Sequence, residues 1–160
     1  MQTPAQNSDA AADAQGLAVS AHLVDAARDC RPAAMYQLGA ALWGAGRYPV
    51  AMKWFKRAAA VREVNALYTL GLIHLNGWGL PAARPEVARV LFEAGHILGH
   101  RPCGIELGAM MVRGQGGPKR VEAGMDLVRA AARAGETSGW SMLVELMKAN
   151  LAASEDRDVA

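Results

Sequence analysis

Apolar positions along this chain recur at steps of three and four, the spacing of one face of an α-helix. Ala66, Leu67, Leu70, His74 and Leu75 make one such run, and Val87, Val90, Leu91, Ala94 and Leu98 make the next. Gly77-Trp78-Gly79-Leu80-Pro81 breaks the pattern between them, so the spacing predicts two short helices rather than one long one. Pro85 falls in the first turn of the second helix, where its missing N–H has no helical partner to lose. Pro32, Pro49, Pro102 and Pro118 mark other predicted starts. Gly44, Gly77, Gly99, Gly114 and Gly135 mark predicted ends, where a left-handed cap favours glycine.

The two-helix pattern is itself repeated. The stretch from Asn65 to Gly99 has a weaker copy on either side, with Leu38-Gly39, Leu70-Gly71 and Leu107-Gly108 as one column. In the second helix, Ala51, Val87 and Ala123 lie 36 residues apart, as do Phe55, Leu91 and Leu127, and Ala58, Ala94 and Ala130. A unit of this length cannot bury its own apolar face and must stack on copies of itself. Gly39, Gly71 and Gly108 are then expected to be points of close helix approach, and Gly71→Leu is expected to wedge the second hairpin apart.

At the ends the units are partial. Val19, Leu23 and Ala26-Ala27 share the register of Ala51, Phe55 and Ala58-Ala59, which predicts a capping helix from about Leu17 to Asp29. Trp140, Leu143, Val144 and Met147 predict a final helix of the first type. The expected organisation is a repeat domain over residues 17–152 with eight helices, flanked by disordered tails at 1–16 and 153–160.

These residues resemble a known family. Ala66, Leu70-Gly71, Gly77-Trp78-Gly79-Leu80 and Arg57-Ala58-Ala59 are similar to the Sel-one-like repeat, the αα-hairpin relative of the tetratricopeptide repeat, over roughly Val19 to Ala149. Its pattern runs A-x-x-x-L-G-x-x-Y, G-x-G-V, A-x-x-W-x-x-x-A-A, G. The chain departs from it in carrying Leu42, His74 and Met111 where the pattern has tyrosine, and Leu80 and Gly117 at the loop valine. The first unit has a shorter loop and reads closer to an ordinary tetratricopeptide repeat. The resemblance implies an all-α, right-handed αα-superhelix (solenoid) of three hairpins plus capping helices.

Composition agrees with a stacked helical core: 52% of the 160 residues are hydrophobic, only 6% are aromatic, and the net charge is +2. That charge gives no support to nucleic-acid binding; Lys119-Arg120 and Arg129/Arg133 read as solvated faces. No run of twenty continuous apolar residues predicts a membrane span. Residues 1–16 lack a basic start followed by an apolar run, so no secretory signal is expected. If residue 1 is the native start, the expected location is the cytoplasm.

Chemistry-bearing patterns are sparse. Cys30 and Cys103 are placed about two hairpins apart, beyond disulfide reach. His96, His100 and Cys103 have the spacing of metal ligands, but Gly99 interrupts the helix between the histidines and no fourth ligand is evident, so no metal is expected. Gly114-Gln115-Gly116-Gly117-Pro118 is glycine-rich without the lysine and hydroxyl ending of a phosphate loop. No cofactor and no catalytic set is predicted.

Recognition remains. In tetratricopeptide arrays the first helix of each hairpin lines a concave groove, and the matching positions, three before and four after each glycine, are Tyr36 and Trp43, Tyr68 and Leu75, and Ile105 and Val112. With Trp78 in the loop, these are the candidate partner-binding residues, suited to an extended or helical peptide. The expected function is a non-enzymatic adaptor or scaffold that binds a protein partner. A secretion-type chaperone for apolar segments and a scaffold associated with envelope polysaccharide or peptidoglycan are alternatives, and the alternate packing role of the same residues stays open.

Overall fold

The computed structural model describes residues 9–158. Among them are nine helices and no strand: α1 Asp9–Asp13, α2 Ala21–Arg28, α3 Pro32–Gly44, α4 Tyr48–Ala60, α5 Val64–Asn76, α6 Pro85–Ile97, α7 Arg101–Arg113, α8 Val121–Arg133 and α9 Thr137–Asp158. α3 packs on α4, α5 on α6 and α7 on α8 as three hairpins, each then packing on the next unit. No helix among the described residues is long and apolar enough to cross a membrane.

Local chemistry sets the helix boundaries. Pro32 and Pro85 are the first residues of α3 and α6, and Pro49 and Pro102 the second residues of α4 and α7. Ser20 and Glu63 cap α2 and α5 by accepting from the backbone N–H of Leu23 and Asn65. α5 and α7 end in left-handed Gly77 and Gly114, and the chain then returns so that Arg84 N–H donates to His74 O at 2.7 Å and Arg120 N–H donates to Met111 O at 2.8 Å. The turns between units also use a left-handed residue at one equivalent position: Cys30, Arg62, Gly99 and Gly135, with φ of 58°, 63°, 83° and 93°.

The hairpins close on a glycine notch. A Cβ added at Gly39 would lie 2.8 Å from Phe55 Cδ1, one at Gly71 would lie 2.7 Å from Phe92 Cζ, and one at Gly108 would lie 2.7 Å from Val128 Cγ2. These contacts correct the sequence register. The counterparts of Phe55 are Phe92 and Val128, 37 and then 36 residues on, and not Leu91 and Leu127. The second helices of units two and three are therefore turned by one residue, about 100°, from the expected phase. Ala123 and Ala130 are exposed, Val90 is 65% exposed and Ala88 is fully buried. An alanine column fixes helix phase weakly because alanine gains little by burial, whereas a phenylalanine ring carries far more apolar area inward.

The ends also differ from expectation. Residues 1–8 lie outside the described residues, but residues 9–16 are not an extended tail. Ala10 of α1 and Ala14 in the turn after it are buried, Trp54 Nε1–H donates to Asp13 Oδ2 at 2.9 Å, and Arg47 donates to the carbonyls of Asp13 and Gln15 at 2.9 and 2.8 Å. The buried indole of Trp54 needs an acceptor, and α1 supplies it. At the other end α9 continues through Asp158, past the boundary expected at residue 152; residues 159 and 160 lie outside the described residues. α1 brings the count to nine where eight helices were expected.

Candidate functional site

The first-helix face is built on the glycine notches. Phe55 and Phe92 fill the notches, and Tyr36 and Tyr68 lean on those rings at centroid distances of 5.8 and 6.0 Å. The two tyrosines are equivalent in successive units and half-buried, and neither hydroxyl has a hydrogen-bond partner among the described residues. A rigid aromatic body held from below with a free polar tip is the form that interface anchors take.

The other candidate residues divide. Trp43 is half-buried, 4.6 Å from the Tyr48 ring and 6.3 Å from Phe55, with the Gly79 backbone of the next unit's loop close to both Tyr48 and Trp43. It joins units one and two as much as it faces outward. Leu75 is half-buried against the cluster that holds Phe92 and Met110. Ile105 and Val112 are buried, and Val112 packs with Leu143 and Leu146 of α9, so this pair offers no surface in the folded chain. Trp78 stands 51% exposed. The structure thus brings Tyr36, Trp43, Tyr68 and Leu75 onto one face over two units, and α9 closes that face at the third. The Arg113–Glu145 ion pair joins α7 to α9 at this edge, and as an exposed pair it contributes little to stability.

Burial shifts the titratable groups near Tyr68 toward their neutral forms. His100 lies 5.4 Å from the Tyr68 ring, and its Nδ1 is 3.1 Å from Cys103 Sγ. Burial, reinforced by Glu106, pushes the Cys103 thiol up to about 12. Burial lowers the His100 pKa, against the opposing pull of Glu136 and Glu63. A protonated thiol beside a neutral imidazole is not a nucleophilic pair, since the thiolate is the reactive form. Burial also raises the Glu106 carboxyl, with Arg113 opposing and Glu145 adding to the rise. Burial, Glu106, Cys103 and Glu136 raise the Tyr68 phenol, so it keeps its proton. Among the described residues no three His, Cys, Asp or Glu side chains converge to hold a metal ion.

His74, in the pattern's tyrosine column, is 9% exposed and its Nδ1 has no hydrogen-bond partner among the described residues. Burial lowers its pKa, with Lys56 and Arg84 adding to the fall and Glu86 opposing it.

The sequence reading missed a second surface, on the side of the second helices. Ala59, Arg62, Leu67, Ala94, Ile97 and Leu98 line an open crevice of about 220 Å³, with Ile97 76% exposed; Val90, outside this lining on the same helix, is 65% exposed. Its equivalent one unit on, of about 190 Å³, is lined by His96, Gly104, Ala130 and Ala134 among others. The spacing of Phe55 to Phe92 would have revealed it, because that register turns Val90 and Ile97 outward.

Comparison with known proteins supports the repeat. Neither a scan of protein-family models nor a search of curated proteins yields a match. Among solved structures, a Sel1 repeat protein from Oxalobacter formigenes superposes with a TM-score of 0.66 and 28% identity, covering 76% of this chain and 36% of that one. The protein c5321, a protective antigen present in uropathogenic Escherichia coli strains and displaying an SLR fold, gives a TM-score of 0.68 at 28% identity, covering 74% of this chain and 26% of that one. The chain therefore spans about a third or less of the length of these relatives. With its glycine notches, its Gly-Trp-Gly-Leu loop and this shared architecture, the chain is similar to Sel1 repeat proteins and has their all-α SLR solenoid fold.

Proposed function

We propose that this protein is a non-enzymatic scaffold that holds a partner polypeptide on the first-helix face of units one and two. The single observation that carries this reading is the pair Tyr36 and Tyr68, repeated at equivalent positions on Phe55 and Phe92, half-buried and with no hydroxyl partner among the described residues. Two aromatic platforms fixed by the fold present large contact area at small entropic cost, and an extended or helical segment can seat apolar side chains between them. Trp43 and Leu75 flank the platforms, and Trp78 stands clear of the loop beside them in sequence. Ile105 and Val112 serve the packing of α9 instead.

Site-specific photo-cross-linking tests this. A benzophenone-bearing phenylalanine is placed at position 68 in one variant and at position 90, on the second-helix side, in another. The reading predicts a cross-linked partner from position 68 that is lost in a folded Tyr36→Ala variant, and none from position 90. Capture from position 90 alone contradicts it and moves recognition to the Ile97 crevice.

A further inference from the structure

The last helix exposes Trp140, Val144 and Met147, at 51%, 51% and 50%. Steps of four and three place them within about a 60° arc of α9. Their places in the repeat are informative. Leu143-Val144 continues the column Leu38-Gly39, Leu70-Gly71 and Leu107-Gly108, Trp140 continues Met35, Leu67 and Gly104, and Met147 continues Leu42, His74 and Met111. Every residue in those three earlier trios is buried, and the glycine of each lies against the second helix of its own hairpin. The α9 stripe is the same hairpin-forming face, with no second helix on it among the described residues.

The geometry points to a second copy of this chain as the occupant, with α9 packing on α9 across a two-fold axis at Val144. Three features favour this. The two helices of every hairpin here are antiparallel, and a two-fold axis perpendicular to α9 at Val144 pairs the helix antiparallel with its copy, so this pairing continues the established interface. The stripe is nearly symmetric about Val144, with Trp140 four residues before it and Met147 three after, so each Trp140 lies across the axis from Met147 and Lys148 of the second copy. Sulfur, alkyl stem and ammonium are all favourable neighbours for an indole ring. Finally, the glycines of this column let Phe55, Phe92 and Val128 approach the backbone closely, whereas valine keeps the helix axes at the roughly 8–10 Å typical of aliphatic contacts. A single helix pair falls short of the roughly 1,200 Å² that standard interfaces bury, so association in the micromolar range is expected.

Sedimentation equilibrium of the full chain, from low to high micromolar concentration, is the test. Expected is a monomer–dimer equilibrium reaching twice the 16.9 kDa chain mass. Val144→Glu sets two carboxylates at the axis and should weaken dimerisation by at least about 100-fold while the helical signal is kept. Val144→Cys should form a disulfide-linked dimer under mild oxidation, whereas Ala149→Cys, on the opposite side of α9, and the parent chain should not. A monomer at every concentration, open-ended oligomers, or a dimer indifferent to Val144→Glu would each overturn the proposal, and the face would then belong to another helix.

Discussion

Gly71→Ala should destabilise the protein, although alanine is the better helix former. Gly71 lies inside α5 and its Cβ position is occupied by the Phe92 ring, with Cζ at 2.7 Å and Cδ1 at 2.8 Å. Carbon atoms rest at about 3.5–4.0 Å, so the ring must retreat by close to 1 Å into a site with no exposure. Such overpacking costs about 1–3 kcal/mol, and the helix-propensity gain returns about 1 kcal/mol. The net expectation is a loss of up to about 2 kcal/mol. Gly44 is a control of opposite sign: it ends α3 with nothing within 4 Å of an added Cβ, so Gly44→Ala should gain about 0.5–1 kcal/mol. Gly71→Leu adds three more carbons to the same notch and should cost more than Gly71→Ala. Urea titration followed by circular dichroism at 222 nm reads all three. Phe92→Leu makes room, so the double variant Gly71→Ala/Phe92→Leu should lose at least about 1 kcal/mol less than the sum of its parts. If Gly71→Ala and Gly44→Ala move the midpoint in the same direction, or the double variant is additive, the notch is not what closes the hairpin.

Further expectations follow from other positions. Arg62 holds a left-handed conformation that Gly99 holds in the next unit, so Arg62→Gly should raise stability by about 1 kcal/mol and Gly99→Ala should lower it by a similar amount despite open space around it, both read by thermal melting. His74 and His100 both have lowered pKa values in the fold, so below their ordinary value of about 6.5 the unfolded chain binds protons that the native state refuses. Stability should therefore fall as pH drops through that value, and His74→Met, copying Met111, should flatten part of the fall between pH 7.5 and 5.5. Glu106 acts with the opposite sign: its pKa is raised, so its contribution is present below about 4.5 and is lost as pH rises through its folded value. Asp13→Ala strands the indole N–H of Trp54 and should cost about 1–3 kcal/mol, with faster amide exchange in α1 than in α4.

The sequence carried the repeat because its punctuation is strong. Proline at helix starts, the Leu-Gly column and the paired glycines of the loop each have one structural use, and the observed bounds of α3 to α7 follow them, while α8 begins at Val121, three residues after Pro118. Helix phase was less legible. The alanines that aligned at 36 residues tolerate either face, and only the ring-to-notch pairs Phe55–Gly39 and Phe92–Gly71 reveal the true register. The candidate site was legible to the same extent. Tyr36 and Tyr68 stand where the first-helix pattern puts them, but burial of Ile105 and Val112 depends on how α9 closes the array, a long-range packing event that no local spacing encodes. α1 was missed for a similar reason, since a polar, alanine-rich segment gains structure only through Trp54 and Arg47, some forty and thirty residues away.

The most direct measurement is a calorimetric titration of the cross-linked partner into the parent chain, a folded Tyr36→Ala/Tyr68→Ala variant and a folded Ile97→Glu variant. Loss of two anchor rings worth about 2 kcal/mol or more corresponds to at least about a 30-fold weaker Kd, with Ile97→Glu binding like the parent. Unchanged affinity in the tyrosine variant, with loss in Ile97→Glu, would contradict recognition on the first-helix face.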